Sequence, residues 1–351
     1  MQIDDLLRLM IETEASDLHL KVPGIPIFRI DGVLVAAEGY PEVTPEWSKA
    51  TLQSITNEDQ FEVFQRDLEL DFSYSIPGLA RFRVNASRQR GTETIAFRLI
   101  NWEIPGVEDL GLPQICKELV FKPRGLVIVT GPTGSGKSTT LASMINHLNE
   151  VENKHIITIE DPIEYLFRDK ESIISQREIG ADTLSFASAM KHALRQDPDV
   201  ILVGEMRDLE TIQAALTGAE TGHLVLATLH TPGAAQTVDR IIDVFPGAAQ
   251  QQIRLQLSNS LEGVIYQELL PRADNEGRVP AVEVMVGTRA VRNLIREDKT
   301  HQIVSVIQSG AQHGMQTLDQ SLALLVKKRM ITLEDASSKS SDPKIFRSLI
   351  G

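Results

Sequence analysis

Apolar residues in the first hundred positions fall into short, patterned runs separated by turns. Apolar residues at helical spacing predict a helix over residues 4–14. Alternating apolar and polar positions predict short strands within residues 17–35, broken by turns at Pro23-Gly24 and Asp31-Gly32. A helical pattern and three further strands follow, at residues 45–66, 68–76, 80–87 and 93–100. The pattern predicts an α+β domain.

A different pattern begins at residue 114, where buried strands alternate with helical segments and so indicate an α/β core. The buried strands are predicted at residues 126–130, 155–160, 200–203 and 223–228. Residues 264–270 and 279–286 predict a hairpin across the polar loop Ala273–Arg278. From residue 288 the chain is predicted to be helical, with a loose stretch over Ser337–Pro343 before a short tail.

The predicted domain organisation follows from these patterns. Two prolines and two glycines within residues 101–113 predict a linker. The linker separates a first domain, residues 1–100, from an α/β domain over residues 114–287. Residues 288–351 form a helical C-terminal region.

Composition narrows the class of protein. The 351 residues carry a formal net charge of −13, which argues against non-specific electrostatic binding to the phosphate backbone of nucleic acid. Cys116 is the single cysteine, so an internal disulfide and a cysteine-rich zinc site are excluded and a cytosolic location is expected. No apolar run reaches membrane-spanning length, and the start of the chain lacks a basic signal-peptide region. A soluble chain that works at a membrane through a partner fits these features.

Residues 131–138 match the phosphate-binding P-loop, in the order Gly-Pro-Thr-Gly-Ser-Gly-Lys-Ser. An apolar run of strand length precedes them and a helical pattern follows, which is the context that the motif needs. Lys137 is expected to reach the β- and γ-phosphates of ATP, and the Ser138 hydroxyl to ligate Mg²⁺. The residues predicted to bind the nucleotide are Gly131, Thr133, Gly134, Ser135, Gly136, Lys137, Ser138 and Thr139.

A catalytic carboxylate is expected at the end of a second strand. Residues 199–205 form an apolar strand that ends in Glu205, with Gly204 at the position where many P-loop ATPases place an Asp. We predict that Glu205 activates or orients the attacking water. The alternative is a solvated glutamate at a strand end.

Further acidic and histidine candidates follow other strands. Glu160 and Glu164 form a cluster after a predicted strand, and they are candidates for the Mg²⁺ shell or for water activation because ligands of α/β proteins bind at such strand ends. A solvated turn is the alternative. His230, at the carboxyl end of its strand, is a candidate for sensing the γ-phosphate or contacting Glu205, whereas His223 at the opposite end is the weaker candidate.

Three arginines are candidates for contacting phosphate. Arg81 and Arg83 alternate on a predicted strand, so their side chains share one face. They are either arginine fingers that reach a bound nucleotide or solvated charges at a sheet edge. Arg195 precedes the Glu205 strand and is the third candidate.

Together these segments resemble the secretion-type ATPase superfamily and, within it, the pilus-retraction ATPases of twitching motility. The resemblance covers nearly the whole chain. It is carried by the P-loop and the Glu160–Glu164 cluster, and by residues 15–20, 195–199, 204–208, 220–231 and 290–297. The last of these segments, Ala-Val-Arg-Asn-Leu-Ile-Arg-Glu, resembles the retraction signature Ala-Ile-Arg-Asn-Leu-Ile-Arg-Glu and departs from it only at Val291.

The resemblance implies a PAS-like N-terminal domain, a RecA-like ATPase domain and a ring-shaped homohexamer. It implies that Glu205 is the catalytic glutamate and that Arg81 and Arg83 contribute to the nucleotide site. It also implies that ATP hydrolysis drives pilin subunits out of the fibre through an inner-membrane platform protein. The chain is then expected at the cytoplasmic face of the inner membrane, with a retraction-ATPase paralogue as a further candidate partner.

The signature segment also predicts an amphipathic helix from its own residues. Val291, Leu294 and Ile295 are predicted to face a core, whereas Arg289, Arg292 and Arg296 line another face. One interpretation is a solvated amphipathic helix. The alternative hypothesis is a contact surface for retraction that includes Arg292, Leu294, Ile295 and Arg296.

Several alternatives stay open. An assembly or secretion ATPase commonly carries a long extra N-terminal region and a four-cysteine motif, and the single Cys116 disfavours it. A nucleotide-dependent regulator would not need Glu205. A nucleic-acid translocase is disfavoured by the acidic charge balance. An accessory paralogue within the retraction family is the hardest alternative to separate.

Overall fold

The computed structural model describes residues 1–100, 102–274 and 276–351, and the chain divides into the compact units Met1–Trp102 and Glu103–Gly351. Within the predicted linker, Asn101 lies outside the described residues. The rest of that segment, from Glu103 onward, folds with the second unit, because Val107 and Leu112 are buried in its core. Asn275, in the predicted hairpin loop, also lies outside the described residues.

The first unit packs helices against one antiparallel sheet. Its helices are α1 (Ile3–Glu12), α2 (Pro45–Ile55) and α3 (Glu58–Asp67). Its strands are β1 (Asp17–Leu20), β2 (Ile27–Ile30), β3 (Val33–Ala36), β4 (Glu69–Ile76), β5 (Ala80–Gln89) and β6 (Thr92–Ile100). The strand order is β3-β2-β1-β6-β5-β4, with every neighbouring pair antiparallel. This architecture confirms the α+β prediction for the first domain.

The helical pattern predicted over residues 45–66 is divided between α2 and α3. The break has a local cause, because Asn57 and Gln60 form a reciprocal capping box that starts a new helix. In the sheet, Phe82 and Phe97 are fully buried and meet edge to face, with ring centroids 6.4 Å apart. The aromatic pair marks the face of the sheet that the helices cover.

The second unit begins with α4 (Ile115–Val120) and continues with strands alternating with helices. Its strands are β7 (Gly125–Thr130), β8 (His155–Glu160), β9 (Ile173–Glu178), β10 (Val200–Val203), β11 (Leu224–Leu229), β12 (Leu261–Pro271) and β13 (Arg278–Val286). The helices among these strands are α5 (Lys137–Val151), α6 (Phe186–Ala193), α7 (Leu209–Glu220), α8 (Ala234–Asp243) and α9 (Gly247–Ser260). The chain ends with α10 (Arg289–Arg296), α11 (Ile303–Ser309), α12 (Leu318–Lys327), α13 (Leu333–Lys339) and α14 (Pro343–Ile350).

The strands of the second unit form one sheet in the order β13-β12-β7-β11-β10-β8-β9. All neighbours are parallel except the β12–β13 hairpin. The parallel arrangement brings the carboxyl ends of β7, β8, β10 and β11 to one edge of the sheet. In α/β proteins this edge is where ligands bind.

Two parts of the second unit differ from the sequence prediction. Strand β9 was not predicted, because as an edge strand it carries a mixed pattern in which Ile173 is 58% exposed. The stretch Ser337–Pro343, predicted to be loose, contains the end of α13 and the start of α14, and Phe346 of α14 is buried. No helix within the described residues combines the length and the apolar character needed to cross a membrane.

Candidate active site

The P-loop joins the end of β7 at Thr130 to the start of α5 at Lys137, which confirms the predicted strand–loop–helix context. Gly131, Gly134 and Gly136 have φ angles of 146°, 77° and 87°, which L-residues rarely adopt. A Cβ atom at Gly131 would also lie 2.3 Å from the backbone oxygen of Gln267. Glycine is therefore required for the curled loop, which stands at the positive end of α5.

Lys137 is buried, and its side chain folds back over the loop. Its Nζ lies 3.0 Å from the carbonyl oxygens of both Gly131 and Pro132. Burial lowers the pKa of Lys137, whereas the negative charges of Glu205 and Glu164 act in the opposite direction. An anionic phosphate at the loop would compensate the desolvation of this ammonium group.

The loop hydroxyls also fit a polar ligand. Ser135 is only 2% exposed, and its Oγ has no hydrogen-bond partner within the described chain. A buried hydroxyl without a partner is uncommon and points to a group that completes the site. The hydroxyl of Thr139 is 3.0 Å from that of Tyr165, while Ser138 is half-buried and Thr133 is exposed.

Glu205, His230 and Lys137 form a continuous polar array at the carboxyl edge of the sheet. His230 Nε2 lies 3.2 Å from Glu205 Oε1, and its Nδ1 lies 3.5 Å from Lys137 Nζ. Because an ammonium group can only donate, Nδ1 is the acceptor and Nε2 carries the proton toward Glu205. The structure therefore places His230 in contact with Glu205, and the catalytic roles of the two residues stay predictions.

The carboxylate of Glu205 is held in its ionised form. Burial by itself would raise the pKa of Glu205, but interactions with Arg207 and His230 outweigh burial and lower the pKa overall. The strongest of these interactions is the 2.7 Å contact between Arg207 Nε and Glu205 Oε1. An ionised carboxylate at this position is suited to orient and polarise a water molecule.

Glu160 has the opposite electrostatic character. It ends β8, is 8% exposed, and accepts hydrogen bonds from Thr158 Oγ1 at 2.6 Å and from Gln176 Nε2 at 3.3 Å. Burial raises the pKa of Glu160 to about 7. Its Oε2 lies 3.4 Å from the backbone nitrogen of Glu164, so the two predicted acidic candidates do lie together.

A chain of buried threonine hydroxyls positions the segment that follows His230. Thr130 Oγ1, at the end of β7, is 2.7 Å from Thr231 Oγ1, and it accepts a hydrogen bond from the Thr231 backbone nitrogen at 2.9 Å. The Thr231 hydroxyl is also 2.6 Å from that of Thr237 on α8. These bonds tie the His230 segment to the strand that carries the P-loop.

The arginine candidates fall in different places. Arg81 and Arg83 lie on β5 of the first unit, on the face opposite Phe82, and their proposed contact with the nucleotide stays a prediction. Arg195 is exposed and precedes β10, at the amino edge of the parallel sheet. Its predicted contact with phosphate also stays a prediction.

His223 also lies at the amino edge. Its Nδ1 is 3.1 Å from the carbonyl oxygen of Gly218, so it has a local hydrogen-bonding role. This placement agrees with its standing as the weaker histidine candidate.

The predicted contact surface on α10 needs a correction. Ile295 is fully buried in the core of the second unit, so it is not part of any exposed surface. Arg292 donates to the carboxylate of Glu262 and to the carbonyl oxygen of Gly287, each at 2.6 Å. Leu294 is half-buried, and exposed Arg296 contacts the side chain of Asn293. Of the four residues predicted for this surface, Arg296 is the most exposed side chain.

Sequence reasoning missed several residues that shape the site. Arg207 lies only two positions after Glu205, so its nearness in sequence was an available signal. Gln176 and Gln267 come from β9 and β12, and only the strand order of the sheet brings them to the site.

The fold and the site define a P-loop nucleoside triphosphatase with a RecA-like core. A profile of the family described as Type II/IV secretion system protein matches residues 2–338, and the chain belongs to this family. The chain is an ATPase of that family.

Individual relatives agree with this assignment. The chain is 49% identical over 346 residues to the "Type IV pilus retractation ATPase PilT" of Pseudomonas aeruginosa, covering 99% of this chain and 100% of the relative. It is 41% identical over 350 residues to the "Type IV pilus ATPase PilU" of the same organism, covering 100% and 91%. A crystal structure of the pilus retraction motor PilT with bound ADP superposes with a TM-score of 0.92 at 48% identity, covering 99% of both chains.

Proposed function

We propose that this chain is the ATP-driven motor that retracts type IV pili and so powers twitching motility. The observation that carries the proposal is the full-length similarity to PilT at 49% identity. The site is consistent with it, because Lys137, His230 and Glu205 form an array suited to hydrolysis.

The chain's own residues have distinct roles in the proposed reaction. The glycines of the P-loop and Lys137 bind the phosphates of ATP, and Ser138 would hold Mg²⁺ together with Glu160 or Glu164. Mg²⁺ would neutralise charge on the phosphates. Glu205 orients the attacking water. His230 lies between Glu205 and Lys137 and fixes the position of the Glu205 carboxylate relative to Lys137.

The proposed assembly is a homohexameric ring at the cytoplasmic face of the inner membrane, acting on a platform protein of the pilus machinery. Arg195 is exposed at the amino edge of the sheet, and we propose that it contacts a neighbouring copy in this ring. In the ring, Arg81 and Arg83 would contribute to a nucleotide site.

An accessory role is the second candidate, because the chain is also 41% identical to PilU. A retraction-ATPase paralogue is a further candidate partner. The higher identity to PilT, 49% over 346 residues, favours the principal motor. A regulator and a nucleic-acid translocase are less consistent with an intact hydrolytic array in a chain of net charge −13.

The test replaces the chromosomal gene with one that encodes Glu205→Gln, and assays the purified protein in parallel. We expect ADP binding to persist and hydrolysis to fall by at least about a hundredfold, because water is no longer polarised. Cells should accumulate surface pili and lose twitching. The matched control is Glu210→Gln, an exposed glutamate on α7, which should leave hydrolysis and pili unchanged.

Each other outcome overturns part of the proposal. Cells without pili would indicate an assembly ATPase. Cells that still retract pili, although the purified variant is inactive, would indicate an accessory paralogue or a function outside pilus retraction.

A further inference from the structure

A buried glutamine on the strand next to the P-loop contacts the loop at two points. Gln267 lies on β12 and is only 2% exposed. Its Nε2 donates to the backbone oxygen of Ser135 at 2.6 Å, and its Oε1 accepts from Thr140 Oγ1 at 2.8 Å. One side chain therefore joins the tip of the P-loop to the first turn of α5.

The orientation of this amide follows from its partners. The carbonyl oxygen of Ser135 can only accept, so it must face the amide nitrogen, which leaves the amide oxygen for the hydroxyl of Thr140. The side chain uses its oxygen and its nitrogen on two different parts of the motif, which no apolar residue of similar size can do.

The backbone of the loop also packs directly against Gln267. A Cβ atom at Gly131 would lie 2.3 Å from the Gln267 backbone oxygen, and one at Gly136 would lie 2.8 Å from its Nε2. This contact is possible because β12 pairs with β7 and sets Tyr266 beside Thr130. Strand β12 therefore packs against the P-loop at both Gly131 and Gly136.

We propose that Gln267 is a positioning residue that holds the P-loop in the shape that binds phosphate. It does not touch the reacting atoms, and it acts through the backbone of Ser135 and the hydroxyl of Thr140. The proposal rests on ATP as the ligand of the P-loop, and it is independent of pilus retraction.

The test is Gln267→Met, which keeps the length of the side chain and removes both hydrogen bonds. Since each lost hydrogen bond corresponds to about a threefold change in an equilibrium constant, we expect the loss of both bonds to raise the Kd for ADP and the KM for ATP about tenfold. The kcat should stay within about threefold, because Glu205 and His230 are untouched. Gln267→Glu should be worse than Gln267→Met, because a carboxylate oxygen would face the Ser135 carbonyl.

A second variant and a matched control keep the test decisive. Thr140→Val removes one hydroxyl, and combining it with Gln267→Met should add less than its separate effect, since the two share one bond. Gln316→Met is the control: that half-buried glutamine donates to the Val282 carbonyl at 2.7 Å in the same unit, with no contact to the loop. It should leave the Kd for ADP unchanged.

The outcomes separate this proposal from its premise. An unaltered chain that fails to bind ADP would overturn the nucleotide assignment itself. Normal ADP affinity in Gln267→Met, or an equal loss in Gln316→Met, would overturn only the role of Gln267. If Gln267→Met does not fold, Thr140→Val decides, with an expected rise in Kd of about threefold for one weaker bond.

Discussion

At the scale of single residues, the site is organised by competition between burial and charge. Glu205 and Glu160 stand at the same edge of the sheet but have opposite pKa shifts. Burial dominates at Glu160, whereas Arg207 and His230 outweigh burial at Glu205. Two glutamates at neighbouring strand ends are thereby prepared for different tasks.

The role of Arg207 predicts a shift in pH dependence. Arg207 makes the largest contribution that opposes burial, so without it the pKa of Glu205 rises and its carboxylate is protonated at higher pH. We expect Arg207→Ala to move the acid limb of the kcat/KM profile to higher pH. The shift should be modest and salt-dependent, because the Arg207 side chain is 72% exposed.

The measurement is a pH profile of ATP hydrolysis at low and high salt. Arg207→Lys is the control, since it keeps a cation near Glu205 and should shift the limb less. An acid limb that does not move in Arg207→Ala would show that Glu205 does not set it.

The site residues that could be predicted from the sequence all belong to local sequence patterns. The P-loop and Glu205 belong to local patterns of strand, turn and helix, which a sequence displays directly. Gln267 and Tyr165 act across the sheet or between segments distant in sequence, so only the folded chain reveals them. Local chemistry was predictable here, and the support around it was not.

At the scale of elements, the buried strands were predicted well because short continuous apolar runs between turns are typical of strands buried on both faces. The β9 strand escaped because its polar, partly exposed residues resemble a loop. The boundary of the first unit shows a related effect. Prolines and glycines indicated a linker, but Val107 and Leu112 are buried in the second unit.

The contacts of Arg292 on helix α10 predict a contribution to the stability of the second unit. The Arg292 guanidinium ties the start of this helix to the β12 strand through Glu262, and to the end of α9 through the Ser258 carbonyl at 3.0 Å. Its side chain is 21% exposed and that of Glu262 is 19% exposed, so solvent screens the pair only in part. We expect Arg292→Met to destabilise the second unit by about 2–3 kcal/mol.

Urea unfolding of the two variants Arg292→Met and Arg289→Met tests this expectation. Arg289 is an exposed neighbour on the same helix, so its loss should cost less than about 0.5 kcal/mol. If Arg292→Met keeps normal stability but cells lose pilus retraction, the guanidinium serves a partner rather than the fold.

At the scale of the whole molecule, the chain carries separate cores in its two units. Cys116 belongs to the core of the second unit and is fully buried. As the single cysteine of the sequence, it is a natural reporter for that unit alone. Opening of the first unit should leave it untouched.

The burial of Cys116 predicts how its thiol reacts. Burial raises the pKa of Cys116 to about 12, so the reactive thiolate is scarce near neutral pH. In the native chain, a disulfide reagent at about pH 8 should therefore label Cys116 only when the second unit opens. Labelling should be complete in concentrated guanidinium chloride and very slow in buffer.

The slow labelling rate should follow the stability of the second unit. Arg292→Met should therefore increase this rate by about 30- to 150-fold, the factor that corresponds to about 2–3 kcal/mol. Arg289→Met should label at the rate of the unaltered chain. Rapid labelling of the native chain would contradict a closed core around Cys116, and equal rates in both arginine variants would separate the Arg292 contacts from the stability of the unit.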